Sequence, residues 1–135
     1  MSIDSNKEVI RRFVEEVFVR LNTGAVDELV ADDFVSHDWP SDLDSKAALK
    51  AATQRLGRAL ADISFAIDDL IAEDDRVVAR VTSRARPVDE FMGMPPSGRS
   101  YEIGEIHIFR LRDGKLVEHW YEMDGMGLMR QLKGG

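Results

Sequence analysis

Glu105 and His107 stand two residues apart in the run Tyr101 to Leu111, which is rich in β-forming residues. In a strand, side chains two positions apart project to the same face. Ile103, Phe109 and Leu111 share that face, while Ile106, Ile108 and Arg110 take the other. A face that mixes a carboxylate and an imidazole with large apolar groups is unusual for a plain core. Burial raises the pKa of a carboxyl group, which is what a general base working near neutral pH needs. Glu105 and His107 are therefore candidate acid/base residues. The plainer alternative is a pair of half-exposed strand residues with satisfied hydrogen bonds.

The next strand, Leu116 to Met123, alternates in the same way. Val117, His119, Tyr121 and Met123 share one face, and Glu118, Trp120 and Glu122 the opposite one. Asp113-Gly114 between the two strands is the strongest hairpin signal in the chain. With a simple two-residue loop, His107 falls opposite Trp120 and Ile106 opposite Tyr121. A one-residue bulge reverses this and sets His107 beside Tyr121. The spacing leaves both registers open.

His37-Asp38-Trp39 is a second cluster, in which His37 and Trp39 could face a cavity together or form a loop with a packed Trp. The methionines at 92, 94, 123, 126 and 129 read as core or pocket wall, where flexible thioethers fill irregular space. The three histidines lack a ligand spacing such as His-Glu-x-x-His, so no metal is expected. No nucleophile elbow, phosphate loop or dinucleotide fingerprint occurs.

The positioning elements must come from one domain, because 135 residues cannot supply two independent cores of ordinary size. The absence of cysteine removes disulfides, thiolate metal sites and cysteine nucleophiles together, and it fits a reducing, cytoplasmic setting. Asp and Glu number 25 against 18 Lys and Arg, a net charge of −7, which argues against a nucleic-acid partner. A hydrophobic content of 44% argues for a folded chain. The N-terminal residues show no long apolar core or small-residue cleavage pattern, so no secretory signal is expected. No apolar run approaches a membrane span.

Ser5 and Glu8 form a capping box before a helix whose apolar face runs Val9, Ile10, Phe13, Val14, Val17, Phe18 and Leu21. Asn22-Thr23-Gly24 stops it, with Gly24 free to take a positive φ. A short helix with Val26, Leu29 and Val30 inward ends at Asp32-Asp33, and Phe34 to Trp39 is extended. Ser45 caps a third helix with Leu49, Ala52, Leu56, Ala59 and Leu60 on its buried face, and Gly57 allows a close approach. Strands follow from Ile63, from Arg76 to Arg86, from Tyr101 and from Leu116, and a helical turn covers Gly127 to Leu132. Helices first and hairpin-linked strands afterwards give an α+β layout, with helices on one face of an antiparallel sheet that can curl into a cone.

Four stretches together resemble the SnoaL-like polyketide cyclase and ester cyclase family of the nuclear-transport-factor-like superfamily. They are the Asn6 to Val17 helix, Asp32-Asp33-Phe34-Val35-Ser36-His37-Asp38, the loop Glu90-Phe91-Met92-Gly93-Met94-Pro95-Pro96-Ser97-Gly98-Arg99, and Ile108 to Trp120 with its Asp-Gly-Lys hairpin and Glu-His-Trp end. The resemblance spans nearly the whole chain. It implies a cone-shaped sheet around an apolar cavity, and ring closure by intramolecular aldol condensation without metal or organic cofactor. It favours the bulged register, and a homodimer is expected.

The resemblance places an acid/base Asp directly after the His-Trp pair, where this chain has Tyr121, and a His on the preceding strand at His107. A phenol with a pKa near 10 is a poor base but a good donor to an enolate oxygen. Glu105 then stands in for the missing carboxylate, with His107 and Tyr121 stabilising or protonating the oxyanion. His37, Trp39, Phe91, Met94, His119 and Met123 are expected to line the cavity around a small hydrophobic carbonyl compound. Two other readings stand beside the enzyme: a binding protein with the same cavity, favoured by Tyr121, and an interaction module that pairs through the open sheet face around Trp120.

Overall fold

Ser2 starts the first helix, three residues earlier than the expected Ser5 cap: its hydroxyl accepts the Ser5 backbone N–H at 3.0 Å. The computed structural model describes residues 2–37 and 43–134. Helix α1 runs Ile3–Phe13 and passes into a π-helical segment, Val14–Val19. The expected single α-helical face is thus broken by a wider turn, of the kind that inserts one extra residue into the helical ladder. The wider turn sets Phe18 against both Phe13 and Phe65, at 5.2 and 5.3 Å between ring centroids.

The turn that ends this helix uses Leu21, at φ +57°, instead of Gly24. Gly24 lies inside α2 (Thr23–Leu29), where its N–H donates to the capping Asn22 side chain at 3.0 Å. Asp32 and Asp33 do not end a helix. They are exposed positions of strand β1 (Val30–His37), which starts directly at the buried Val30. Ser45 does cap α3 (Lys46–Ala59). Leu60 already belongs to β2 (Leu60–Glu73), and Leu56 is largely exposed. A Cβ at Gly57 would lie 3.0 Å from Leu21, so the close approach expected there is present.

The remaining strands are β3 (Arg76–Pro87), β4 (Tyr101–Arg112) and β5 (Lys115–Met123), followed by α4 (Gly125–Lys133). Among the described residues the strands form one sheet in the order β1-β5-β4-β3-β2, antiparallel except where β1 runs parallel to β5. The fold is α+β, with the N-terminal helices lying against a curved sheet. Curvature has a local cause. The long edge strand β2 shifts register against β3 twice, between Ala61 and Ser64 and between Ile67 and Asp69. Such bulges bend a strand and increase its twist.

A third shift settles the β4–β5 hairpin. Leu111 pairs with Leu116 but Arg110 with Glu118, so Val117 is the extra residue and His107 pairs with Tyr121. Leu116 and Val117 are consecutive yet both buried, which a regular strand cannot achieve. The bulged register is the one present.

The core falls into two apolar clusters. One joins Ile10, Phe13, Val17, Val26 and Leu29 of the helices to Val77, Val81, Phe109 and Leu116 of the sheet. The other joins Ala85, Tyr101 and Ile103 to Leu128 and Leu132 of α4. On β4 the inward positions between Ile103 and Phe109 are Glu105 and His107, so the polar pair occupies the seam between the clusters.

Candidate active site

Glu105 and His107 share the inward face of β4, and their side chains meet: His107 Nε2 lies 2.7 Å from Glu105 Oε1. Their side chains are 10% and 4% exposed, so water screens the contact little. The other ring nitrogen of His107, Nδ1, lies 2.8 Å from His119 Nε2 on β5. His119 Nδ1 in turn lies 2.9 Å from Ser36 Oγ on β1. Four side chains from three strands thus form one buried hydrogen-bonded chain.

Register brings these groups together. The β4–β5 pairing sets His107 opposite Tyr121 and Phe109 opposite His119, and the four rings lie nearly parallel. Centroids are 5.1 Å apart for both His107–Tyr121 and His107–His119, and 4.7 Å for Phe109–His119. The parallel pairing of β1 with β5 then puts Ser36 at His119. Phe18 of the π-helical segment closes over this array, 5.4 Å from His107 and 6.3 Å from His119.

Burial, then the charges of His107 and His37, lowers the His119 pKa well below the ordinary imidazole value of 6.5. His119 is therefore neutral, with one N–H to give and one lone pair to offer. Tyr101 also faces inward on β4. Its pKa is pushed up to about 12 by burial and by the Glu105 charge, against a hydrogen bond with Ser83 that acts the other way. Its phenol keeps its proton throughout the physiological range and can only act as a donor or a neutral acceptor.

The chain of polar groups opens on a cavity of about 560 Å³. That volume suits a multi-ring or chain-like small molecule. Apolar side chains dominate the wall, among them Phe18, Ile63, Phe65, Phe91, Ile103 and Leu128. Ser36, Glu105, His107, His119, Tyr121 and Met123 all belong to the lining, as does Tyr101. Arg55, Arg84 and Glu90 supply exposed charges to it.

Two expected lining residues sit elsewhere. His37 alternates with the inward Ser36 and lies on the outer face of the sheet. There its Nε2 contacts Glu118 at 2.7 Å and its ring stacks on Trp120 at 5.2 Å. Arg110 holds the other Glu118 oxygen at 3.0 Å, and Arg76 lies over the Trp120 ring. Met94 packs on the second apolar cluster and pairs its backbone with Phe91, while Met92 and Gly93 carry the loop's contribution to the wall. Trp39 lies outside the described residues.

Sequence reasoning missed Ser36 and Tyr101. The signal for Tyr101 was available, since it shares the odd-numbered face of Glu105 and His107. Ser36 is visible only once β1 is paired with β5, 83 residues away.

Among the described residues no group of three or more His, Asp or Glu side chains is arranged to hold a metal ion. In the chain of polar groups, each ring nitrogen faces its neighbour's nitrogen or oxygen, so the lone pairs do not converge on a common point.

A curved α+β cone that carries a carboxylate–imidazole pair inside an apolar cavity is a frame for acid/base work on, or capture of, a small molecule. The family model for the SnoaL-like polyketide cyclase matches residues 8–132, and the chain belongs to that family. The aklanonic acid methyl ester cyclase DauD of Streptomyces sp. (strain C5) is 29% identical over 135 residues, covering 93% of this chain and 80% of DauD. The nogalonic acid methyl ester cyclase of Streptomyces nogalater is 29% identical over 119 residues, covering 82% of this chain and 87% of that one. Among solved structures, TsrD from Streptomyces laurentii superposes with a TM-score of 0.89 at 31% identity, covering 98% of this chain and 97% of TsrD.

Proposed function

We propose that this protein catalyses aldol cyclisation, or a related proton transfer, on a small apolar carbonyl compound held in the cone, using its own side chains as acid and base. The observation that carries this reading is the 2.7 Å contact between Glu105 and His107, set in the wall of an otherwise apolar cavity of about 560 Å³. Membership of the cyclase family supports the same reading.

The residues divide the work as follows. The Glu105 oxygen not facing His107 takes a proton from the carbon beside a carbonyl, and the C–H electron pair becomes an enolate. Tyr121, directly across from His107 on β5, donates a hydrogen bond to the enolate oxygen. The enolate carbon attacks a second carbonyl of the same molecule, forming a C–C bond and an alkoxide. The proton held by the Glu105–His107 pair returns to that alkoxide, so the reaction is balanced without a co-reactant. Both His107 nitrogens are already engaged, so His107 acts on the substrate through Glu105 and not by direct contact.

The test is turnover of polyketide-like β-dicarbonyl compounds by the wild type and by Glu105→Gln. The amide keeps the shape and removes the base. A loss on the order of a hundredfold or more in kcat is expected, the range of general acid/base catalysis. Full turnover by Glu105→Gln overturns the assignment. Tight binding of the same compounds with no turnover by the wild type selects the second reading, a binding protein, which the phenol at position 121 favours.

A further inference from the structure

Each member of the chain Ser36–His119–His107–Glu105 constrains the next. An ionised Glu105 can only accept, so His107 must carry its proton on Nε2. A neutral His107 then offers the lone pair of Nδ1, and His119 must carry its proton on Nε2. His119 Nδ1 is left as an acceptor, and the Ser36 hydroxyl donates to it.

Once an added proton passes from the outer Glu105 oxygen into the contact with His107, every bond beyond it reverses. If the proton rests on His107, Nδ1 becomes a donor. If it rests on the Glu105 oxygen facing the ring, His107 Nε2 accepts and its own proton again sits on Nδ1. In both cases His119 Nε2 must accept, its proton moves to Nδ1, and Ser36 must accept in turn. A hydroxyl is the one group in this chain that can do either by rotating about its C–O bond.

We propose that Ser36 and His119 are positioning residues for the Glu105–His107 pair: they form a reversible hydrogen-bond chain that stays fully satisfied whether or not the pair holds the substrate's proton. This rests on the acid/base reading of the cavity and adds two residues to it. A buried pair that changes protonation during turnover would otherwise strand a donor or an acceptor, at a cost comparable to a lost hydrogen bond. The burial of His119, which keeps it neutral, supports the tautomer exchange over a charge transfer.

The groups that face His107 are few. Glu105 lies on its own strand, and His119 and Tyr121 on β5. Ser36 on β1 acts through His119. The inward positions of β3 opposite it, Ala79 and Val81, and the π-helical Phe18 carry no charge. Tyr101, near Glu105, stays protonated. His37 reaches His119 only electrostatically, from the other side of the sheet.

The test needs no substrate. Side-chain ¹⁵N spectra of the intact protein report which nitrogen of each imidazole carries hydrogen. The two rings should always be matched: His119 as Nε2–H with His107 as Nε2–H alone, or His119 as Nδ1–H with His107 bearing a proton on Nδ1. When acidification adds a proton to the pair, the first arrangement gives way to the second while His119 stays neutral. A mismatched pair of tautomers at any pH, or imidazolium at His119 while the pair takes up its proton, overturns the proposal.

Ser36→Ala leaves either an acceptor or a donor of His119 unpaired, and an orphaned buried N–H is the rarer and costlier of the two. Proton uptake by the pair should therefore shift to lower pH, by on the order of one unit. Ser36→Thr, which restores the hydroxyl, should return it to the wild-type position. An unchanged midpoint in Ser36→Ala overturns the role of Ser36. These spectra are independent of turnover, so full activity of Glu105→Gln would sink the catalytic reading while leaving the tautomer result to stand or fall by itself.

Discussion

Tyr121 occupies the position at which the resemblance to the cyclases puts a carboxylate, and the geometry shows what that exchange requires. Its ring stacks at 5.1 Å from His107 and 5.7 Å from His119, so a carboxylate there would bring its charge near the same imidazoles from the other strand. Glu105 already serves His107 from β4 at 2.7 Å. The two positions are alternative sources of one negative charge beside one imidazole. Placing a carboxylate at both brings like charges together, so one carboxyl stays protonated, and the phenol that donates to the enolate oxygen in the proposed reaction is lost. Tyr121→Asp alone should therefore lower turnover. In Glu105→Gln, the added Tyr121→Asp should recover about tenfold of the lost rate, since the charge is restored but its angle to the substrate is not. Steady-state kinetics on the two single variants and the double variant check this, and a purely additive double variant contradicts it. At this scale the sequence was informative where chemistry follows strand alternation. Glu105, His107 and Tyr121 were picked out by parity and resemblance. Ser36 was not, because its role depends on a parallel pairing between distant segments that no local pattern encodes.

The elements show where local rules are overridden by packing. Alternation in β5 predicts that Leu116 and Val117 face opposite ways, yet both are buried, and the resulting bulge brings His107 opposite Tyr121. The hairpin signal at Asp113-Gly114 was legible, with both residues at positive φ as a tight turn demands, but a two-residue loop is compatible with either register. Burial of both Leu116 and Val117 goes with the bulged one. The helices behave similarly. Their existence was legible from apolar spacing, whereas no local pattern encodes the π-helical segment that sets Phe18 among aromatic rings or the turn that seats Leu21 against Gly57. Helix α4 gives an element-scale prediction. Asp124 caps it by accepting the Gly127 N–H at 2.9 Å, and a Cβ at Gly127 would overlap the Asp124 carboxylate. Replacing glycine by alanine inside a helix ordinarily stabilises by up to about 1 kcal/mol. Here the methyl group displaces the cap, whose loss costs about 1 kcal/mol and leaves a donor unpaired. Because α4 seats Leu128 in the cavity wall, the helix cannot simply slide away. Gly127→Ala should therefore lower the melting temperature, and a raised one would show that the cap is dispensable.

At the scale of the whole molecule, the two apolar clusters are joined across a seam of buried polar groups, and that seam couples folding to pH. His119 is neutral in the folded protein, with a pKa lowered by burial first and by the His107 and His37 charges second. In the unfolded chain it titrates near 6.5. Below that pH the unfolded state binds a proton that the folded state refuses, so stability falls as pH drops. The loss begins near the unfolded value and continues down to the folded one. Its slope approaches at most about 1.4 kcal/mol per pH unit for this one group. The carboxylates with lowered pKa values act later. Asp27, held by Lys50, Glu28 by Arg12, Asp33 by Arg112, and Glu118 by His37 and Arg110 contribute only as pH approaches their ordinary range. Those pairs are largely at the surface, so salt screens them, whereas the His119 term is a cost of burial and salt leaves it nearly unchanged. Urea denaturation from pH 7 to 5 at low and high salt separates the two. The expected result is a salt-insensitive decline that flattens in His119→Phe, a variant that keeps the ring stack on Phe109 and Tyr121 but removes the titrating nitrogens. A wild-type stability that holds level over that range would mean that the seam takes up its proton without cost.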